Sequence, residues 1–96
     1  MATFVSLISF TDQGVRNIKD SPDRFEAFRA MAEASGVTVR SVYWTMGSRD
    51  MVVTVDGPEE TAAAVMMKVS SLGNVRSETL RGYGPEEMRR ILGRMP

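Results

Sequence analysis

The stretch Val39–Val55, VRSVYWTMGSRDMVVTV, decides the fold. Two runs of β-branched and aromatic residues flank Gly47-Ser48-Arg49-Asp50. Branched and aromatic side chains pack well on a pleated surface, and Gly, Ser and Asp suit a chain reversal, so the stretch predicts a β-hairpin in mid-chain. Upstream, Ala2 to Phe10 (ATFVSLISF) predicts a strand with Phe4, Ile8 and Phe10 on one side and Val5 and Leu7 on the other. A strand apolar on both faces belongs in the middle of its sheet. Thr11 or Asp12 caps a short helical turn through Val15 and Ile18, and Asp20-Ser21-Pro22 restarts a helix. Phe25, Phe28 and Ala32 share a face at helical spacing, and Gly36 supplies a left-handed stop.

Downstream of the hairpin, Gly57-Pro58-Glu59-Glu60 leads into a second helix with acid in its first turn, favourable against the helix dipole. Its expected buried stripe is Ala62, Val65, Val69 and Leu72, with Met66 beside it, and Gly73 ends it. Asn74 to Leu80 or Arg81 (NVRSETLR) predicts a fourth, more polar strand. Gly82-Tyr83-Gly84-Pro85 then breaks the chain before an amphipathic helix carrying Met88, Ile91, Leu92 and Met95. Glu86 stands four before Arg90, the order that favours an ion pair. The order βαββαβ plus a terminal helix is the ferredoxin-like split βαβ arrangement, an α+β fold with an antiparallel sheet and helices on one face. The open face then needs a cover, and a second copy is the simplest one. A symmetric dimer is expected, with Val42, Trp44 and Met46 on that face.

Composition narrows the chemistry. Ninety-six residues make one expected domain, 1–96, and a chain of this size buries about 60–65% of its unfolded surface. Cysteine is absent, which excludes disulfides, thiol nucleophiles and thiolate ligands, and agrees with a cytoplasmic location. Histidine is absent too, which removes imidazole-ligated haem, the usual zinc and non-haem iron sites, and Ser-His-Asp or Cys-His nucleophiles. No cofactor and no metal are expected, although carboxylate-only metal sites remain chemically open. Lysine plus arginine balance aspartate plus glutamate at twelve each, so no basic excess serves nucleic acid or an anionic membrane. No apolar run approaches a membrane span, and the first residues do not read as a signal peptide.

The segments FTDQGVRNIKDSPDRFEAFR, VYWTMGSRDMVV and SLGNVRSETLRGY resemble the GYD-domain family of small bacterial and archaeal proteins, and the resemblance spans nearly the whole chain. The family takes its name from a Gly-Tyr-Asp signature in the hairpin turn. Gly47 and Asp50 match that pattern, while Arg49 stands where tyrosine is usual. The resemblance implies a ferredoxin-like fold of the dimeric α+β barrel type, without an established activity.

Five residues are candidates for a ligand site: Tyr43, Trp44, Asp50, Asn74 and Arg76. A carboxylate at the hairpin mouth can act as a base or hold an arginine; the plainer role of Asp50 is to accept backbone N–H bonds in its own turn. Tyr43 and Trp44 face opposite sides of a strand. Trp44 either stacks on a flat aromatic ligand or fills the dimer core. Arg40 is expected on the same side as Trp44, and Arg76, Glu78 and Leu80 share one face of strand four. An inward arginine beside an aromatic wall would hold a carboxylate or enolate; Arg76 and Glu78 read equally as rim ion pairs between subunits. Eight methionines suit either an adaptable cavity or ordinary gap-filling.

Three functions fit. The first is a homo-oligomeric protein binding a small apolar or aromatic molecule. The second is a cofactor-independent monooxygenase acting on a phenol or quinol through Trp44, Tyr43, Asn74 and Arg76, by analogy of fold. The third is a structural or assembly module using its final helix to dock. Placing Trp44 in the dimer interface predicts that Trp44→Ala weakens the dimer, read as solution mass against concentration.

Overall fold

The computed structural model describes residues 1–96. Strand β1 (Ala2–Phe10) leads through a short helix α1 (Asp12–Arg16) and a 3-10 turn to helix α2 (Ser21–Ala34). Strands β2 (Thr38–Trp44) and β3 (Met51–Gly57), helix α3 (Glu59–Ser71), strand β4 (Val75–Gly82) and helix α4 (Pro85–Gly93) follow. The sheet order is β2-β3-β1-β4, antiparallel throughout, which is the expected ferredoxin-like fold. The boundaries follow local chemistry. The Thr11 hydroxyl accepts from Gly14 N–H to cap α1, Pro22 stands in the first turn of α2, and Gly36 and Gly73 take positive φ after α2 and α3.

β1 is central, as its two apolar faces require. Ser6 pairs with Val53 on one side and Thr79 on the other. Phe4, Ser6 and Ile8 are buried on the helix-covered face, where they meet Phe25 and Ala32 of α2, Ala62 and Val65 of α3, and Met51, Val53 and Val55 of β3. Burial of each large apolar side chain there contributes about 1.5–3 kcal/mol. Ser6 is the one polar group in the middle of this layer, and Thr79 Oγ1 at 2.9 Å satisfies its hydroxyl. The stripe on α3 is buried only in part: Ala62, Val65 and Met66 are enclosed, Val69 is half-buried, and Leu72 is 57% exposed.

Strand β2 carries a bulge. Val39 pairs with Val55 and Ser41 with Thr54, so Arg40 is the extra residue. A bulge sets two residues of one strand against one of its partner and disturbs the alternation of faces. Arg40 and Ser41 therefore both lie with the open-face residues of β3: Arg40 Nε reaches Asp56, and Ser41 Oγ lies 2.6 Å from Thr54 Oγ1. Beyond the bulge, Val42 and Trp44 pair with Val53 and Met51 on the helix-covered face. Two expectations are thereby corrected. Arg40 does not share a face with Trp44, and neither Val42 nor Trp44 lies on the open side of the sheet.

α4 stands apart from the two-layer body. None of its residues is buried, and Met88, Ile91, Leu92 and Met95 are all exposed. The chain extends 50 Å along its longest axis and 18 Å along its shortest. Glu86 pairs with Arg89, three residues on, rather than with Arg90, since both spacings are neighbours on a helix surface.

One close approach ties the ends of β1, α1 and β4 together. Thr11 N–H donates to Asn74 O at 3.1 Å, the Thr11 hydroxyl donates to Gly73 O, and Gln13 Nε2 donates to Asn74 Oδ1 at 2.9 Å. At this junction a Cβ on Gly14 would stand 2.1 Å from Asn74 O. Gly14→Ala is expected to cost about 1–3 kcal/mol through forced backbone shift, measured as a lowered urea midpoint. Gly93→Ala, where a Cβ meets nothing within 4 Å, should leave the midpoint near wild type. Equal midpoints for the two variants would contradict the packing at Gly14.

Candidate functional site

The five candidate residues are scattered. Tyr43 is exposed on the open face of edge strand β2. Trp44 lies on the opposite face, its ring edge-on to Phe25 at 6.0 Å and its Nε1–H donating to Ser21 Oγ at 3.0 Å. Arg76 is exposed on the open face of β4, at the far edge of the sheet from β2, and takes part in none of the ion pairs. Asn74 sits at the junction with Thr11 and Gln13.

Asp50 closes the loop between β2 and β3. Its carboxylate accepts the Phe10 N–H at 2.8 Å, its own N–H donates to Ile8 O, and its carbonyl accepts from Thr45 N–H. The N–H that the carboxylate holds belongs to the end of β1, not to its own turn. Arg49 crosses β1 to pair with Glu78 of β4 at 3.0 Å. Both ends of that pair are well exposed, so it adds little stability. Glu78 thus has its arginine within the same chain.

A cavity of about 310 Å³ lies between α2, α3 and the sheet. Its walls are mostly apolar, and Phe25, Phe28, Met51 and Val69 form much of them. The polar exceptions are Ser21, Arg24 and Asn74. Of the five candidates only Asn74 touches this space, and Trp44 stands one side chain away, behind Phe25 and Ser21. Met31, Met51 and Met66 also line it, so some of the methionines border a cavity and others lie at the surface. The enclosing helices and strands were legible as apolar stripes; the incomplete burial of Val69 and Leu72 is what leaves the space open.

The other apolar feature is the open sheet face. Val5, Leu7, Val52, Leu80 and Tyr43 share it, edged by Arg40–Asp56 and Arg49–Glu78. The Thr3 hydroxyl donates to Asp56 Oδ1 at 2.6 Å, and together with Arg40 it holds the Asp56 carboxyl below its ordinary range, against the opposing effect of partial burial. Arg81, which composition singles out only as one basic residue among several, lies over the Tyr83 ring at 4.5 Å and pairs with Glu87. The Arg81 guanidinium, helped by the Gly84 N–H, holds the Glu87 carboxyl below its ordinary range and fastens α4 to β4.

The GYD domain family model matches residues 4–92. The chain belongs to the GYD domain family. It is 32% identical over 82 residues to the glutamine synthetase and cystathionine beta-lyase binding protein of Thermus thermophilus, spanning 83% of this chain and 86% of that protein. In this GYD domain Asp50 is a structural acceptor for β1, and Arg49 pairs with Glu78 of β4. No helix of it is long and apolar enough to cross a membrane.

Two outcomes follow. Trp44→Ala is expected to lower the thermal midpoint by removing contact with Phe25 and Ser21, with no change in subunit number; a changed solution mass at unchanged stability would contradict the placement of Trp44. Asp56 has a folded pKa below its unfolded one, so its contribution is present above the ordinary carboxylate range and is lost as pH falls through the folded value. Urea midpoints of wild type and Asp56→Asn, compared at neutral and at strongly acid pH, should therefore converge as the pH falls.

Proposed function

We propose that this GYD domain is a cytoplasmic homo-oligomeric binding protein whose cavity between sheet and helices takes a small apolar or aromatic molecule. The observation that carries the reading is the cavity itself. Ligand sites are concave, mostly apolar and furnished with a few polar groups, with volumes of about 300–1,000 Å³. This one has that character at the small end of the range, with Phe25 and Phe28 on one wall and Ser21, Arg24 and Asn74 at its polar positions. Asn74 lines the cavity and would contact the ligand, and Trp44 would act on the site through Phe25 and Ser21.

The homo-oligomer is supported by the open sheet face. Val5, Leu7, Val52 and Leu80 give it an apolar centre that no element of the same chain covers. A self-complementary face of this kind closes most simply in a two-fold dimer of the α+β barrel type. Tyr43, Arg76 and the Arg49–Glu78 pair would then lie at or near the contact.

A second reading concerns protein partners. The Thermus relative is described as binding two enzymes, glutamine synthetase and cystathionine beta-lyase. By likeness to it, this chain would bind another protein, and α4 supports that reading through its exposed Met88, Ile91 and Leu92, with exposed Met95 just beyond it. The monooxygenase reading gains no support from the geometry. Tyr43 and Arg76 occupy opposite edges of the open face, with Trp44 on the other side of the sheet.

Native mass spectrometry on protein purified from its own host tests the proposal. The expected result is more than one subunit, with added mass that disappears on denaturation. In the same assay Leu7→Asp, which places a charge in the centre of the open face, should give folded monomer. A wild-type monomer without added mass would defeat the proposal, and Leu7→Asp assembling like wild type would remove the open face from it.

A further inference from the structure

The polar groups of the cavity are not equivalent. Ser21 Oγ accepts from Trp44 Nε1, and Asn74 Oδ1 accepts from Gln13 Nε2. Arg24 differs from both. Its Nη1 donates to Asn17 O at 2.6 Å, which fixes the side chain at the wall of the cavity. Its Nη2 is cut off from solvent and has no acceptor. No carboxylate of the chain answers its charge, since Arg24 enters none of the ion pairs. One other arginine nitrogen is buried without a hydrogen bond, Nε of Arg29. That guanidinium lies over the Phe25 ring at 5.2 Å and within 3.7 Å of Glu26, so its charge is met inside the protein.

A cation on an apolar wall with no carboxylate of its own favours an anion beside it, because charge in a poorly solvated site is stabilised by an opposite charge. A guanidinium also offers paired donors whose geometry matches a carboxylate. The remainder of the wall, with Phe25, Phe28, Met31, Val69 and Leu72, suits an apolar body. We propose that the cavity binds a small monocarboxylic acid with an aliphatic or aromatic body, its carboxylate on the Arg24 guanidinium and its body against Phe28 and Val69. This rests on the reading of the cavity as a ligand site. A single charge is favoured over a phosphate dianion because Arg24 is the only cationic residue on the wall.

The chain carries its own reporter. Trp44, its one tryptophan, touches Phe25 and Ser21, both of which line the cavity. Decanoate and decan-1-ol, which share a chain length and differ in charge, would be titrated into the intact protein at neutral pH. Trp44 emission and the amide shifts of Phe28 and Val69 would be followed together. Decanoate is expected to bind saturably, at least about ten-fold more tightly than the alcohol, as a hydrogen bond to a charged partner implies. Arg24→Gln should abolish that preference. Decanoate and decanol binding wild type alike would overturn the role of Arg24 and leave the cavity as an apolar site. Neither molecule moving any of the three signals would overturn the ligand site as well. The wild-type comparison decides the matter even where Arg24→Gln fails to fold.

Discussion

Strand β1 is hydrogen-bonded on both sides and covered on one face, and the rest of the structure is arranged by that constraint. Its pairing with β3 and with β4 fixes which side chains face the helices, because a one-residue slip on either side would send Phe4, Ser6 and Ile8 to the wrong face. The ends of the strand are pinned as well. Asp50 holds the Phe10 N–H, and Thr11 joins the next residue to Gly73 and Asn74. Through these bonds the β2–β3 loop and the α3–β4 link meet at the same end of β1. Ile8, Met51, Asn74 and Val75 border the cavity near that end.

The cavity and the open sheet face are separate consequences of one sheet. On the covered side, α2 and α3 bring aromatic and branched residues over Phe4, Ile8 and Val53, and the packing closes around Ala62 and Val65. Toward Leu72 it does not close, and the gap is apolar with Arg24 as its one cationic side chain. On the other side the hydroxyls of Thr3, Ser41 and Thr54 surround a small apolar centre, with charges paired at the rim. The first arrangement suits a small molecule and the second another protein surface, so ligand binding and assembly need not compete for the same residues.

The bulge at Arg40 shows how a single backbone irregularity redistributes roles. Strict alternation along β2 puts Arg40 with Trp44 and builds a mixed arginine–aromatic wall. The extra residue sends Arg40 to Asp56 and leaves Trp44 with Phe25 and Ser21. Nothing in VRSVYW marks the bulge, since no glycine stands there and both registers bury valines. It is fixed by pairing with β3, where Thr38 and Val39 must meet Asp56 and Val55 while Trp44 meets Met51.

The element order, the central place of β1, the helix caps and stops at Thr11, Pro22, Gly36 and Gly73, and the edge character of β4 were all legible in the sequence. Each depends on neighbours within a few residues: hydrophobic period, capping groups and left-handed glycines. The absence of cysteine and histidine likewise bounds the chemistry. The candidate site was legible only in pieces. Tyr43, Trp44, Asp50, Asn74 and Arg76 have the chemistry of a ligand site, and the fold sends them to two faces, two edges and two loops. Nothing in the sequence around Arg24 (DRFEAF) singles it out from the other arginines. Whether a guanidinium finds a carboxylate, a ring or nothing depends on residues distant along the chain. That pairing is decided by tertiary packing, and it is the packing of α2 and α3 on the sheet that leaves Arg24 Nη2 buried and unmet.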